Sequence, residues 1–218
     1  MKVIKSLLLC SAVFFSLLGC EENNTYKARL KDPQLFHNSM QALSDVIVYD
    51  IFSPPVASRV YMYPTIAAYA VMQKQYPKKY EDMAGQLSDF KTIPEINDPD
   101  IHAELAAIHA FLKVGTALIF SENKIIEYRD SLYASLEKDG LPSSVKEASL
   151  AYGDLVAAHI LAWADTDFYK QTRTFPKYTI QEGTAFWKPT PPDYMEGIEP
   201  HWNKIRTLVL DTADQFEP

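Results

Sequence analysis

Between Gln34 and Phe52 the apolar positions Phe36, Met40, Leu43, Ile47 and Ile51 recur at steps of four, three, four and four. That spacing predicts one stripe on an amphipathic helix. The pattern breaks at Ser53-Pro54-Pro55, where the prolines remove backbone donors and bias Ser53 away from helical dihedrals. From Val60 to Tyr76 nearly every face is apolar, as expected of a helix at the centre of a bundle. Pro64 inside it predicts a kink or the true helix start. Residues 76–100 carry prolines and many charges and read as a long surface connection.

The stretch Ile101 to Phe120 repeats Leu105, Ile108, Leu112, Gly115 and Ile119 in alternating steps of three and four. Gly115 on that stripe predicts close approach of a neighbouring helix. A further helix runs from Ser121 through Ile125, Tyr128, Leu132 and Leu136, and Gly140 with Pro142 ends it. Ser144 and Glu147 stand at capping-box spacing ahead of a stripe of Ala148, Tyr152, Leu155, His159, Ala162 and Trp163. No period-two pattern competes with these, so the chain reads as an all-α helical bundle of five or more helices, spanning 34–175. Residues 176–218 read as a proline-rich extended strap and a short C-terminal helix through Trp202, Ile205, Val209 and Ala213, with Pro200 in its first turn. Phe186, Trp187 and Tyr194 of the strap are expected to fill grooves between helices.

At the other end, Lys2 and Lys5 precede an apolar run from Leu7 to Leu18. Crossing a bilayer takes roughly 20 apolar residues, so this shorter run reads as an export signal over 1–19. Gly19-Cys20 after two leucines resembles a bacterial lipobox, in which Cys20 is acylated and becomes the new N-terminus, followed by a polar tether over 20–33. Acyl chains at Cys20 would hold the protein on a membrane of the bacterial cell envelope, facing periplasm or cell surface. The other cysteine, Cys10, falls in the removed segment, so the mature fold rests on burial without a disulfide. Loss of Lys2 and Lys5 leaves 19 basic against 28 acidic side chains, with no basic run, which argues against a nucleic-acid groove.

The chemistry is sparse. The seven glycines are scattered and form no phosphate-binding loop. Among His37, His102, His109, His159 and His201, the seven-residue spacing puts His102 and His109 on one helix face, but no third and fourth metal ligand accompany them. His159 reads as a satisfied core histidine. Asp165 and Asp167, near a helix end, read as water-facing or capping carboxylates, and Ser58-Arg59 and Arg173 as surface or structural pairs. No complete active site emerges: no catalytic, cofactor-binding or metal residue is assigned, and Cys20 is the one modification site.

Three stretches carry a resemblance: Tyr49 to Met72 (YDIFSPPVASRVYMYPTIAAYAVM), Tyr152 to Asp167 (YGDLVAAHILAWADTD) and Phe186 to Pro218, which opens FWKPTPPDYMEGIEPHW. Together they resemble the N-terminal half of bacterial vanadium-dependent haloperoxidase-like proteins, in the type 2 phosphatidic acid phosphatase superfamily. The resemblance implies two helical bundles, the second of which supplies an oxyanion site for phosphate or vanadate. Its motifs there are Lys and Arg-Pro separated by six residues, Pro-Ser-Gly-His, and Ser-Arg and a histidine separated by five residues. None of these motifs is found here: Thr65 stands where the histidine after Ser58-Arg59 would be, and Arg206-Thr207 replaces a common Pro-Phe. The expectation is an N-terminal domain that is catalytically silent, with vanadate or phosphate expected only in a full-length relative. Its partners would be the membrane, through the lipid anchor, and a missing C-terminal bundle or a second copy. The alternative is a complete surface lipoprotein acting as a binding module.

Overall fold

The computed structural model describes residues 24–216. The export signal, Cys10 and Cys20 lie outside the described residues. Among these, the chain forms α1 (Thr25–Lys31), α2 (Pro33–Tyr49), α3 (Pro54–Gln75), α4 (Ala103–Ala117), α5 (Glu122–Lys138), α6 (Ser143–Ala164) and the short α7 (Tyr169–Thr172). The fold is all-helical, with one isolated bridge between Ala84 and Leu87 in place of any sheet. No described helix is long and apolar enough to cross a membrane.

Residues 25–33, expected to be tether, are instead structured. Tyr26 and Leu30 are buried, the Tyr26 amide donates to the Asp139 carbonyl at 3.1 Å, and Arg29 pairs with the Asp139 carboxylate at 2.6 Å. α1 is thereby fastened to the C-terminal end of α5. Asp32 then caps α2 by accepting from the Gln34 amide at 2.9 Å, with Pro33 in the first turn, where its missing donor has no partner to lose.

The prolines at 54 and 55 also start a helix, because they occupy the first turn of α3, which runs on through Pro64. α4 lies at the centre, packed most extensively against α3 and α6. Leu105, Phe111, Leu112 and Val114 are fully buried there, each full apolar burial contributing roughly 1.5–3 kcal/mol. Two glycines permit the close approach. A Cβ on Gly115 would come within 3.2 Å of the Leu43 side chain on α2, and one on Gly153 within 2.9 Å of the Ala106 carbonyl and 2.8 Å of His109 Cδ2. The long connection between α3 and α4 is pinned by buried Phe90 and Ile93.

The expected capping box does not form. α6 begins at Ser143, so Ser144 is already inside the first turn and cannot serve as the cap, which falls to Pro142 without a side-chain bond. The expected C-terminal helix is also absent: only a 3₁₀ turn, Trp202–Lys204, appears. The backbone there bonds distant partners instead of its own preceding turn. The Arg206 amide donates to the Asp167 carbonyl at 2.9 Å, and the Leu208 carbonyl accepts from the Ser88 amide at 2.8 Å. The strap aromatics do not fill grooves either, since Phe186, Trp187 and Tyr194 are exposed by 46%, 48% and 62%. Trp187 packs instead on Tyr178 of the same strap, edge to face at 5.4 Å.

Candidate functional site

The densest polar cluster lies on the seam where α3, the end of α6 and the strap meet. Arg59 is a charged residue on a largely apolar helix, and it is buried. Burial of a charge requires a partner. Asp167, 2% exposed, provides it: Arg59 Nε donates to Asp167 Oδ2 at 2.6 Å, and Arg59 Nη2 reaches the Ala164 carbonyl at 3.3 Å. Asp167 points inward because the chain reverses just after it. Phe168 takes a left-handed φ of 73°, a costly conformation for an aromatic residue, and the Tyr169 amide then donates to Asp167 Oδ1 at 2.9 Å.

Tyr63, one turn beyond Arg59 on α3, donates its hydroxyl to Asp167 Oδ2 at 2.9 Å. The Tyr63 hydroxyl oxygen in turn accepts from Arg206 Nη2 at 3.1 Å. Burial, and next the negative charge of Asp167, push the Tyr63 phenol well above its ordinary pKa, so it stays protonated and can hold both roles. Arg206 also donates to the Trp163 carbonyl at 2.9 Å and the Thr166 hydroxyl at 2.8 Å, and its guanidinium lies 4.5 Å from the Trp163 ring centre. Trp163 is held in turn by Tyr63 and Phe90, edge to face at 5.1 and 4.9 Å, and its Nε1 donates to the Ser88 carbonyl at 3.1 Å.

A cavity of about 450 Å³ opens beside this cluster, and its lining includes Arg59, Tyr63, Asp167 and Arg206 together with apolar Met62, Ile205, Leu208 and Leu210. It is a place that can bind. It holds no activated nucleophile or free general base, since the phenol is kept protonated and Asp167 is engaged at both oxygens. Vanadate does not fit it: no histidine lines the cavity to ligate the metal.

The residues singled out from sequence are dispersed. Asp165 and Asp167 part company: Asp165 is exposed and pairs with Lys170 at 2.8 Å, whereas Asp167, expected to face water or to cap a helix, is buried. Arg173 pairs with Glu199 and so helps hold the strap. His201 bonds the Pro176 carbonyl at 2.7 Å, His159 bonds the Lys91 carbonyl at 2.9 Å while only half-buried, and His37 is exposed.

His102 and His109 serve separate networks. His102 Nδ1 lies 3.1 Å from Glu104 Oε2, and the Tyr76 hydroxyl donates to Glu104 Oε1 at 3.0 Å. The His102 ring foremost, with the Tyr76 hydroxyl, brings the Glu104 carboxyl down to about 2. His109 is buried between the Tyr133 hydroxyl, 2.5 Å from Nδ1, and Asp154, 3.1 Å from Nε2. Burial lowers its pKa, against the pull of Asp154, so it donates from Nε2 to the carboxylate and accepts the phenol at Nδ1. Among the described residues no group of three or more His, Cys, Asp and Glu side chains could hold a metal ion.

Sequence reasoning passed over Tyr63, Trp163 and Arg206 as a set. The available signal was Arg59: a guanidinium on an all-round apolar helix demands a buried carboxylate somewhere in the chain.

No protein-family model matches the chain, and no curated protein does. Among solved structures, it is similar to one described as the first bacterial vanadium-dependent iodoperoxidase, with 44% identity and a TM-score of 0.79. The match covers 85% of this chain and 45% of that one, so the chain corresponds to less than half of the iodoperoxidase. At that identity the likeness marks a relative of part of a vanadium haloperoxidase, and bears out the resemblance read from the sequence.

Proposed function

We propose that this chain is the N-terminal helical scaffold of a vanadium haloperoxidase- or acid phosphatase-like lipoprotein, whose oxyanion chemistry belongs to a second helical bundle. Cys20, acylated, would hold it on a membrane of the bacterial cell envelope, with the fold facing periplasm or cell surface. The observation that carries this reading is the pairing of 44% identity to an iodoperoxidase over 85% of the chain with a seam that offers no site for vanadate. The described residues then act by shape: α4 and its neighbours form a packed bundle, and Arg206 and Arg173 tie the strap to it. A second reading, a binding module complete in itself, draws support from the exposed Phe186, Trp187 and Tyr194.

The test is to assay the purified mature chain for phosphate-monoester hydrolysis and for iodide oxidation with hydrogen peroxide and orthovanadate. The proposal expects neither above the protein-free rate. Turnover of either, lost on heat denaturation of the chain, would overturn it.

A further inference from the structure

We propose that the cavity beside Arg59 and Arg206 is a binding site for a small organic acid, with a carboxylate at its polar end and an apolar body against Met62, Ile205 and Leu208. The starting point is a charge that the fold leaves uncompensated. Two guanidiniums and one carboxylate line the cavity. Asp167 Oδ2 takes Arg59 Nε and the Tyr63 hydroxyl, and Oδ1 takes the Tyr169 amide. Arg206 therefore meets only neutral acceptors: a threonine hydroxyl, a phenol and a carbonyl.

Its Nε is buried and has no acceptor among the described residues. A guanidinium partly withdrawn from water without a carboxylate partner is costly, and a bound anion offsets that charge. Arg59 commits Nε and Nη2 to protein acceptors, which leaves Nη1 outside these bonds.

The rest of the cavity chooses among anions. Its volume, about 450 Å³, lies in the range of ligand sites, roughly 300–1,000 Å³, and Met62, Ile205, Leu208 and Leu210 give it apolar lining. An inorganic anion would satisfy the charge and leave that wall wet, whereas an acid with an aromatic or branched aliphatic body uses both ends. Asp89, Asp211 and Asp214 line, with Lys204, an adjoining cleft that shares Arg206 with this cavity, and disfavour multiply charged anions beside it. A single carboxylate suits that field best.

Benzoate is the probe, read by calorimetric titration into the purified mature chain at constant ionic strength, with benzyl alcohol, acetate and inorganic phosphate as comparators. Benzoate is expected to bind saturably at one site, at least tenfold more tightly than each comparator. Arg206→Gln is expected to weaken it tenfold or more while the chain keeps its helical circular dichroism. Because Arg206 lies on the strap, outside the helical core, that variant retains the bundle. Should a variant chain fail to fold, Leu208→Asn, which replaces part of the apolar wall with a neutral amide, gives an independent reading: it should weaken benzoate binding tenfold or more and leave acetate unchanged. No saturable benzoate binding, equal binding of benzyl alcohol, tighter binding of phosphate, or unchanged affinity in Arg206→Gln would each overturn the proposal.

Discussion

Replacing Asp167 by alanine should be among the most damaging single changes in the chain. The carboxylate is 2% exposed and accepts from Arg59 at 2.6 Å, Tyr63 at 2.9 Å and the Tyr169 amide at 2.9 Å. Removing it leaves the Arg59 guanidinium buried with one weak bond, to the Ala164 carbonyl at 3.3 Å. Breaking a buried pair from one side costs about 3–5 kcal/mol, because a charge is left without its partner. At about 2–4 °C per kcal/mol for a domain of this size, the melting temperature should fall by roughly 6–20 °C. Asp165→Ala is the internal control, since it removes an exposed pair with Lys170 and should stay within about 0.5 kcal/mol of the parent. Urea denaturation followed by far-ultraviolet circular dichroism measures both, and Arg59→Met/Asp167→Ala closes a double-mutant cycle. The double variant should be more stable than the two single effects added together predict, because each single change strands the other charge. An Asp167→Ala loss below about 1 kcal/mol, comparable to an exposed pair, would refute the picture of a buried and mutually dependent seam.

Gly153→Ala should destabilise by about 1–3 kcal/mol, since the new methyl meets the Ala106 carbonyl at 2.9 Å and the His109 ring at 2.8 Å; a thermal melt checks this. Tyr63→Phe removes the hydroxyl that links Asp167 to Arg206 and should cost about 1–3 kcal/mol in the same denaturation assay. His109 has a pKa lowered by burial, so its contribution is complete above the ordinary histidine pKa and falls as acidification protonates the unfolded chain first. Stability should therefore drop between pH 7 and pH 5, and His109→Gln, less stable at pH 7, should lose much of that slope. Glu104 is held down to about 2, so its contribution stands above the ordinary glutamate pKa and is lost as pH falls toward 2. The stability gap between parent and Glu104→Gln should then narrow over that acid range, as read from denaturation midpoints at stepped pH.

Periodicity made the bundle legible because burial in a helical protein repeats every three or four residues. Leu43, Leu105, Leu112 and Leu136 from those stripes all became core, whereas Ile51 and Leu155, read into the same patterns, are exposed. It failed where backbone partners are distant in sequence. The stripe from Trp202 to Ala213 is a valid helical pattern, yet the Arg206 amide and the Leu208 carbonyl are taken by Asp167 and Ser88, and those bonds preclude a helix. Tyr26 and Leu30 were hidden for a related reason: two apolar residues make no stripe, and their burial depends on the Asp139 end of α5. At the seam, Asp165 and Asp167 look alike in sequence, and only the left-handed turn at Phe168 sends one of them inward. A spacing rule between Arg59 and Asp167 could not exist, because one lies on α3 and the other in the turn after α6, 108 positions apart.

The most direct test of a scaffold without its own oxyanion chemistry is a vanadium-51 nuclear magnetic resonance titration of micromolar orthovanadate with the purified mature chain. The account predicts that the free orthovanadate signal keeps its position and width up to equimolar protein. A broad, shifted, stoichiometric protein-bound signal would contradict it, since vanadate would then have found in this bundle the site that is assigned to another.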